Sequence, residues 1–98
     1  MKILWALQDY NEPFSGGVER TFHNMIRMAD GHENHIWPVS MGTRTNLPSN
    51  TTRVNSPMGD YTLAIVEGNP RVTNKIDQIK NSTNNIVIKM QHVTGRTI

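Results

Sequence analysis

The sequence predicts an α/β domain in which a mostly parallel β-sheet carries helices on both faces. Residues 3–7 and 61–66 are continuous apolar runs, a pattern typical of strands that are buried on both faces of a parallel sheet. Residues 86–90 predict a last buried strand. Amphipathic segments lie between these runs, and such alternation of strands and helices favours a parallel sheet.

The first helix is predicted to begin after the paired glycines Gly16 and Gly17, which follow a polar loop. Gly31 suits the left-handed position that ends a helix. Because glycine allows close approach to the backbone, Gly16 and Gly17 at a helix start fit a site for an anion, and they fit a plain strand-to-helix turn equally well. The apolar face of this helix consists of five residues at helical spacing: Val18, Phe22, Met25, Ile26 and Ala29.

The second strand is predicted over residues 33–39, with Pro38 at a strand end or edge because proline cannot donate to the ladder. Residues 41–56 are rich in Thr, Asn, Ser and Pro, which predicts a long loop. A short edge strand is predicted inside this loop near residues 52–55. Residues 57–60 are predicted to form a turn.

The second helix is predicted to begin at Asn69 and Pro70. Asparagine is a preferred N-cap residue, and proline is favoured at the first helical position. Residues 81–85 end this helix and lead to the last strand. Its apolar face consists of Val72, Ile76 and Ile79.

The predicted strand order indicates where a ligand binds. The first strand is expected to lie between the second strand and the strand at residues 61–66, with the last strand beyond, and right-handed crossovers place the two helices on opposite faces. A topological switch point then lies beside the first strand, and ligands bind at the carboxyl ends of strands there. The loops at residues 8–17, 67–70 and 91–95 meet at this edge. Their candidate site residues are Gly16, Gly17, Glu67, Asn69, His92 and Thr94.

Composition limits the classes of function. The 98 residues allow one small domain, residues 1–98. The net charge is +2 and the basic residues are scattered, so nucleic-acid binding is not indicated. The chain has no cysteine, which excludes disulfides and thiolate metal sites. No apolar run approaches the ~20 residues of a transmembrane helix or forms a signal-peptide core, so the expected location is cytoplasmic.

Histidines and carboxylates do not form a clear metal or hydrolytic pattern. His32 and His35 have the spacing of a metal-binding pair, but no third ligand is near, so no metal is expected. Only Asp9 and Glu12 accompany Glu67 at the same edge, which makes hydrolysis by paired carboxylates the weaker interpretation. The glycine motifs of dinucleotide-binding sites and phosphate loops are absent, and no cofactor is expected.

Three segments in order resemble the amino-terminal domain of the family 4 glycosyltransferases. They are residues 1–4 (Met-Lys-Ile-Leu), 15–20 (Ser-Gly-Gly-Val-Glu-Arg) and 31–36 (Gly-His-Glu-Asn-His-Ile). Residues 61–66 look like the fourth strand of that family, and residues 91–94 look like its histidine-bearing loop. These enzymes have the GT-B fold of two Rossmann-like domains facing each other across a cleft. The resemblance therefore implies a Rossmann-like, incomplete N-terminal GT-B domain.

The resemblance also implies a retaining glycosyltransferase that moves a sugar from a nucleotide-sugar donor to an undetermined acceptor. Carried over by position, Gly16 and Gly17 bring backbone amides near the donor diphosphate, and His92 is the catalytic histidine beside the reacting sugar. The carboxy-terminal domain of the family, which makes most donor contacts, is absent from these 98 residues. The chain alone is thus expected to be inactive. The acceptor side is expected to be lined by Glu67, Asn69 and Thr94.

The alternative is a stand-alone α/β module that binds a small anion or a partner protein. A receiver-type signalling domain fits this alternative poorly, because no acidic pair follows the first strand. One helix on each sheet face leaves apolar surface open. Either the missing C-terminal domain or self-association of the chain is therefore expected to cover the sheet.

Overall fold

The computed structural model describes residues 1–10, 17–40, 47 and 49–89. Within these residues, five parallel strands form one sheet whose strand order follows the chain as third, second, first, fourth and fifth. This arrangement confirms the predicted α/β, Rossmann-like class and the predicted strand order. The elements are β1 (Lys2–Leu7), α1 (Gly17–Met28), β2 (Glu33–Pro38), β3 (Thr51–Arg53), β4 (Leu63–Glu67), α2 (Pro70–Thr73), α3 (Ile76–Ile79) and β5 (Ile86–Lys89).

Alternate residues of β1 contribute to two separate cores, one on each face of the sheet. Ile3, Trp5 and Leu7 pack with Phe22 and Ile26 of α1. The intervening residues of β1 face the other core, which contains Val72 of α2 and Ile79 of α3 in addition to residues of β1 and β4 (Leu4, Ala6, Ala64 and Val66). Helices therefore cover both faces, as predicted from the continuous apolar runs.

The end of α1 is held against the sheet by a buried asparagine. Asn34 is 1% exposed, and its Oδ1 accepts a hydrogen bond of 2.9 Å from Trp5 Nε1. Its Nδ2 donates to the carbonyl oxygens of Ala29 at 3.0 Å and His32 at 3.2 Å. Gly31 has a φ of 92°, the left-handed conformation predicted for the residue that ends this helix. These contacts fix the direction in which the chain enters β2.

The second predicted strand and the edge strand are present with small shifts in their bounds. β2 ends at Pro38, whose register partner is Leu7 of β1, so the proline lies at a strand end. β3 begins one residue before the predicted edge strand and has three residues. The fourth strand begins at Leu63 rather than at Tyr61, although Tyr61 is buried in the core beside it.

The prediction of a single second helix is wrong, because α2 and α3 are separate four-residue turns. Lys75 between them has φ −103° and ψ 8°, which departs from helical geometry. The predicted start of α2 is confirmed: Asn69 Oδ1 accepts a 3.0 Å hydrogen bond from the backbone N–H of Arg71. The break still lets Val72 and Ile79 reach the same core.

The prediction that residues 86–90 form a buried strand is wrong for the described part, residues 86–89. β5 lies at the edge of the sheet, where Val87 is 52% exposed and Ile88 is 41% exposed. Only Ile86 of this strand packs against the core that contains α2 and α3. The apolar run reflects β-propensity here rather than burial on both faces.

Candidate ligand crevice

The carboxyl ends of β1 and β4 form the candidate site. These strands are parallel neighbours, and the helices that follow them pack on opposite faces of the sheet. This is the geometry of a topological switch point, at which a crevice opens between diverging connections. Gln8 comes directly after β1, Glu67 is the last residue of β4, and Asn69 lies two residues further along.

Three polar residues join the two loops at this edge. The backbone N–H of Gln8 donates a 2.9 Å hydrogen bond to Glu67 Oε1. Asn69 Nδ2 donates a 2.6 Å hydrogen bond to Gln8 Oε1. The backbone N–H of Asn69 also donates to the Glu67 carbonyl at 2.8 Å. We refer to Gln8, Glu67 and Asn69 as the crevice triad, since these bonds fix all three side chains at the junction of β1 and β4.

The Glu67 side chain lies in a site that is nearly closed to solvent. The residue is 9% exposed, and among the described residues its carboxylate accepts only the Gln8 N–H. Lys89 is its register partner on β5, yet neither of the two ion pairs in the described part of the chain involves Glu67. Within the described residues, no hydrogen bond to its Oε2 is found. Because buried polar atoms are normally hydrogen-bonded, this oxygen is the candidate contact for a ligand.

A second carboxylate lies beside the crevice triad. Asp9 is partly buried and accepts a hydrogen bond from the Ser40 hydroxyl. The segments that follow β1 and β2 remain hydrogen-bonded to each other beyond the ends of these strands. The Val39 N–H donates to the Leu7 carbonyl at 2.8 Å, and the Ser40 N–H donates to the Gln8 carbonyl at 3.0 Å. These bonds hold Asp9 at the same sheet edge, which therefore carries two carboxylates.

The predicted site residues differ in where the structure places them. Glu67 and Asn69 come together at the crevice, joined through Gln8. Gly17 is the first residue of α1. Gly16, His92 and Thr94 lie outside the described residues. Gln8 was missing from the candidate residues, although its position as the first polar residue after β1, at the predicted switch point, is a signal that identifies it.

His32 and His35, which were considered as a metal-binding pair, have other partners. These partners lie toward the end of the sheet at which the strands begin, which we call the amino edge. His32 Nδ1 lies 3.0 Å from the N-terminal amine. His35 Nε2 lies 2.7 Å from Glu33 Oε2, and His35 Nδ1 lies 3.0 Å from the Tyr61 hydroxyl. Burial and, to a lesser extent, the Glu33 charge raise the pKa of Tyr61. In the described part of the chain, no three His, Cys, Asp or Glu side chains lie together as metal ligands do.

A polar pocket of about 370 Å³ also lies at the amino edge, lined by residues 60–62 and 80–85. Two of its lining side chains are engaged in hydrogen bonds within the fold: Ser82 Oγ donates to the Pro57 carbonyl at 2.7 Å, and Asn85 Nδ2 donates to the Thr62 carbonyl at 3.0 Å. Parallel sheets bind ligands at the opposite edge. The crevice triad, in which one oxygen of the nearly buried Glu67 has no partner among the described residues, is therefore the stronger candidate.

Comparisons of the chain with protein-family models, with curated proteins and with solved structures find no match. Of the helices in the described residues, none has the length and apolar character needed to span a bilayer. The candidate site thus depends on the geometry of the crevice itself.

Proposed function

We propose that this chain is the acceptor-side domain of a retaining, nucleotide-sugar-dependent glycosyltransferase. The observation that carries the proposal is the crevice triad at the switch point between β1 and β4. Support also comes from the parallel strand order and from α1 beginning at Gly17, in line with the resemblance of the sequence to family 4 glycosyltransferases.

In the proposed reaction, one side of the crevice contacts the sugar donor and the other side holds the acceptor. The bond between the anomeric carbon and the donor diphosphate breaks, and an acceptor oxygen bonds to the same face of that carbon. The acceptor proton passes to the leaving diphosphate. Backbone amides near Gly16 and Gly17 stabilise the charge that develops on the diphosphate, and His92 lies beside the reacting sugar. The acceptor is held by Glu67 and Asn69, together with Thr94.

An assay of the complete reading frame that contains these 98 residues tests the proposal. We expect the reading frame to encode a second Rossmann-like domain and its purified product to transfer sugar from at least one nucleotide sugar. The anomeric configuration of the product, determined by NMR, should match that of the donor. His92→Ala should greatly lower kcat, whereas His32→Ala, at the amino edge, should leave kcat unchanged.

Two results would contradict this proposal. One is a complete protein that transfers no sugar from any common nucleotide sugar. The other is measurable sugar release by the purified 98-residue chain, because the proposal assigns most donor contacts to residues outside these 98.

A stand-alone interaction module remains the second candidate, and the exposed edge strand favours it. Val87 and Ile88 present apolar side chains on β5, a strand with an unpaired edge in the described residues. A reading frame that ends at Ile98, together with a partner protein that protects β5 from hydrogen exchange, is the outcome expected for this candidate.

A further inference from the structure

The polar atoms that the crevice triad leaves unused have a defined hydrogen-bonding character. Glu67 Oε2 is an acceptor without a partner among the described residues. Asn69 Oδ1 accepts a hydrogen bond from the Arg71 N–H, and Asn69 Nδ2 donates one of its two hydrogens to Gln8 Oε1. Gln8 Oε1 is occupied by that same bond, which leaves the Gln8 Nε2 donors. The triad therefore contributes one strong acceptor, Glu67 Oε2, together with amide donors of Gln8 and Asn69.

This combination matches a hydroxyl group better than a charged group. A hydroxyl both donates and accepts, so it can donate to Glu67 Oε2 while it accepts from an amide of Asn69 or Gln8. A phosphate accepts only, so it leaves Glu67 Oε2 unpaired. An ammonium donates only, so it pairs with Glu67 but leaves the amide donors of Asn69 and Gln8 unpaired. A buried polar group that a ligand fails to pair costs affinity, which is how such sites discriminate between close analogues.

The charges at this edge also disfavour an anion. Glu67 is nearly buried and forms no ion pair with another described residue, and Asp9 lies at the same edge. A phosphate brought beside these carboxylates meets like charge. We infer that the crevice triad binds a neutral, polyhydroxylated acceptor such as an unphosphorylated sugar. This inference rests on the proposed function, since it names the acceptor class of the same site.

A binding panel tests the inference without requiring sugar transfer. The probes are methyl α-D-glucopyranoside, glucose 6-phosphate and glucosamine, each titrated into the purified chain and followed by NMR signals of the Gln8 backbone amide and the Asn69 side-chain amide. We expect the neutral glycoside to bind most tightly of the three. Loss of one hydrogen bond to a charged group corresponds to an affinity change of about tenfold or more.

Variants show whether the triad is responsible for binding. Glu67→Gln removes the charge but keeps an amide oxygen to accept the Gln8 N–H, and we expect about tenfold weaker binding of the glycoside. Asn69→Ser keeps a good N-cap for α2 and removes the amide donor, so it should also weaken binding. Asp77→Asn is the matched control, because Asp77 is an exposed carboxylate on α3 whose side chain has 94% relative exposure. It should leave affinity unchanged.

The outcomes separate this inference from the proposed function. Tighter binding of glucose 6-phosphate or glucosamine overturns the inference, and so does unchanged glycoside affinity in Glu67→Gln or the absence of binding by all three probes. Each of these results can occur in a protein that still transfers sugar to another acceptor. Conversely, glycoside binding at the triad without sugar transfer by the complete protein supports the inference and overturns the proposed function.

Discussion

Substitution of Asn34 by alanine should strongly destabilise the fold, because this residue joins β1, β2 and the end of α1. Its side chain makes three hydrogen bonds, to Trp5 Nε1 and to the carbonyl oxygens of Ala29 and His32. The asparagine is 1% exposed and Trp5 is 2% exposed, so water cannot easily replace the lost partner of the indole N–H. The substitution therefore leaves a buried donor unsatisfied.

The magnitude follows from the three bonds. An unsatisfied buried donor costs about 1–3 kcal/mol, and each of the two remaining bonds contributes roughly 0.5–1.5 kcal/mol net. We expect the free energy of unfolding to fall by about 3 kcal/mol. A domain of this size has a total stability of only about 5–15 kcal/mol, and the loss corresponds to a decrease in Tm of roughly 12–24 °C.

Urea unfolding monitored by tryptophan fluorescence and circular dichroism measures this loss. The control is Asn24→Ala on the exposed face of α1, which should change stability by less than about 0.5 kcal/mol. In a Trp5→Phe background, which lacks the indole N–H, Asn34→Ala should cost about 1–2 kcal/mol less. A loss below about 1 kcal/mol for Asn34→Ala, or additive effects in this cycle, would refute the reasoning.

Three further predictions concern the backbone, an ionisable group and the sheet edge. Gly31→Ala should lower the free energy of unfolding in urea by about 1 kcal/mol, because Gly31 has a φ of 92° although an added Cβ would meet no atom within 4 Å. Gly31→Asn should lower it less, because asparagine tolerates this conformation better, and equal losses in the two variants would contradict a purely conformational origin. Since the fold raises the pKa of Tyr61 above 10.0, its contribution to stability is complete below that pH and is lost as the pH rises through the folded-state pKa. The difference in tyrosinate absorbance between the wild type and Tyr61→Phe should show that Tyr61 ionises above pH 10.0. Glu33→Gln should lower the midpoint of this ionisation only partly, because burial is the larger cause of the raised pKa. A midpoint at or below pH 10.0 contradicts the assignment. Finally, the exposed apolar side chains of β5 should make the purified chain self-associate, and Val87→Lys should lower its mass in sedimentation; a wild-type chain that sediments as a monomer removes this prediction.

The sheet and its strand order could be predicted from the sequence because they depend on local patterns. Continuous apolar runs marked β1 and β4 as strands buried on both faces, and two amphipathic segments supplied the crossovers that determine strand order. Local residue chemistry likewise identified the end of α1 at Gly31 and the start of α2 at Asn69.

Other features depend on contacts that the local sequence does not encode. β5 has the composition of a buried strand, but its exposure depends on whether another element lies beside it. The break between α2 and α3 is not marked by the apolar pattern, because Val72 and Ile79 are seven residues apart and an unbroken helix would also place them on one face. At the candidate site, Glu67 and Asn69 were predicted from strand order. The role of Gln8 required the geometry, because its contacts join residues 59 and 61 positions apart.

Mapping a bound neutral glycoside on the protein tests most directly whether the carboxyl ends of β1 and β4 form the ligand crevice. Backbone amide chemical shifts recorded during titration with methyl α-D-glucopyranoside distinguish the two edges of the sheet. The largest changes should occur at Gln8, Gly68 and Asn69. Changes concentrated at residues 60–62 and 80–85 would instead place the ligand in the amino-edge pocket and contradict the assignment of the crevice.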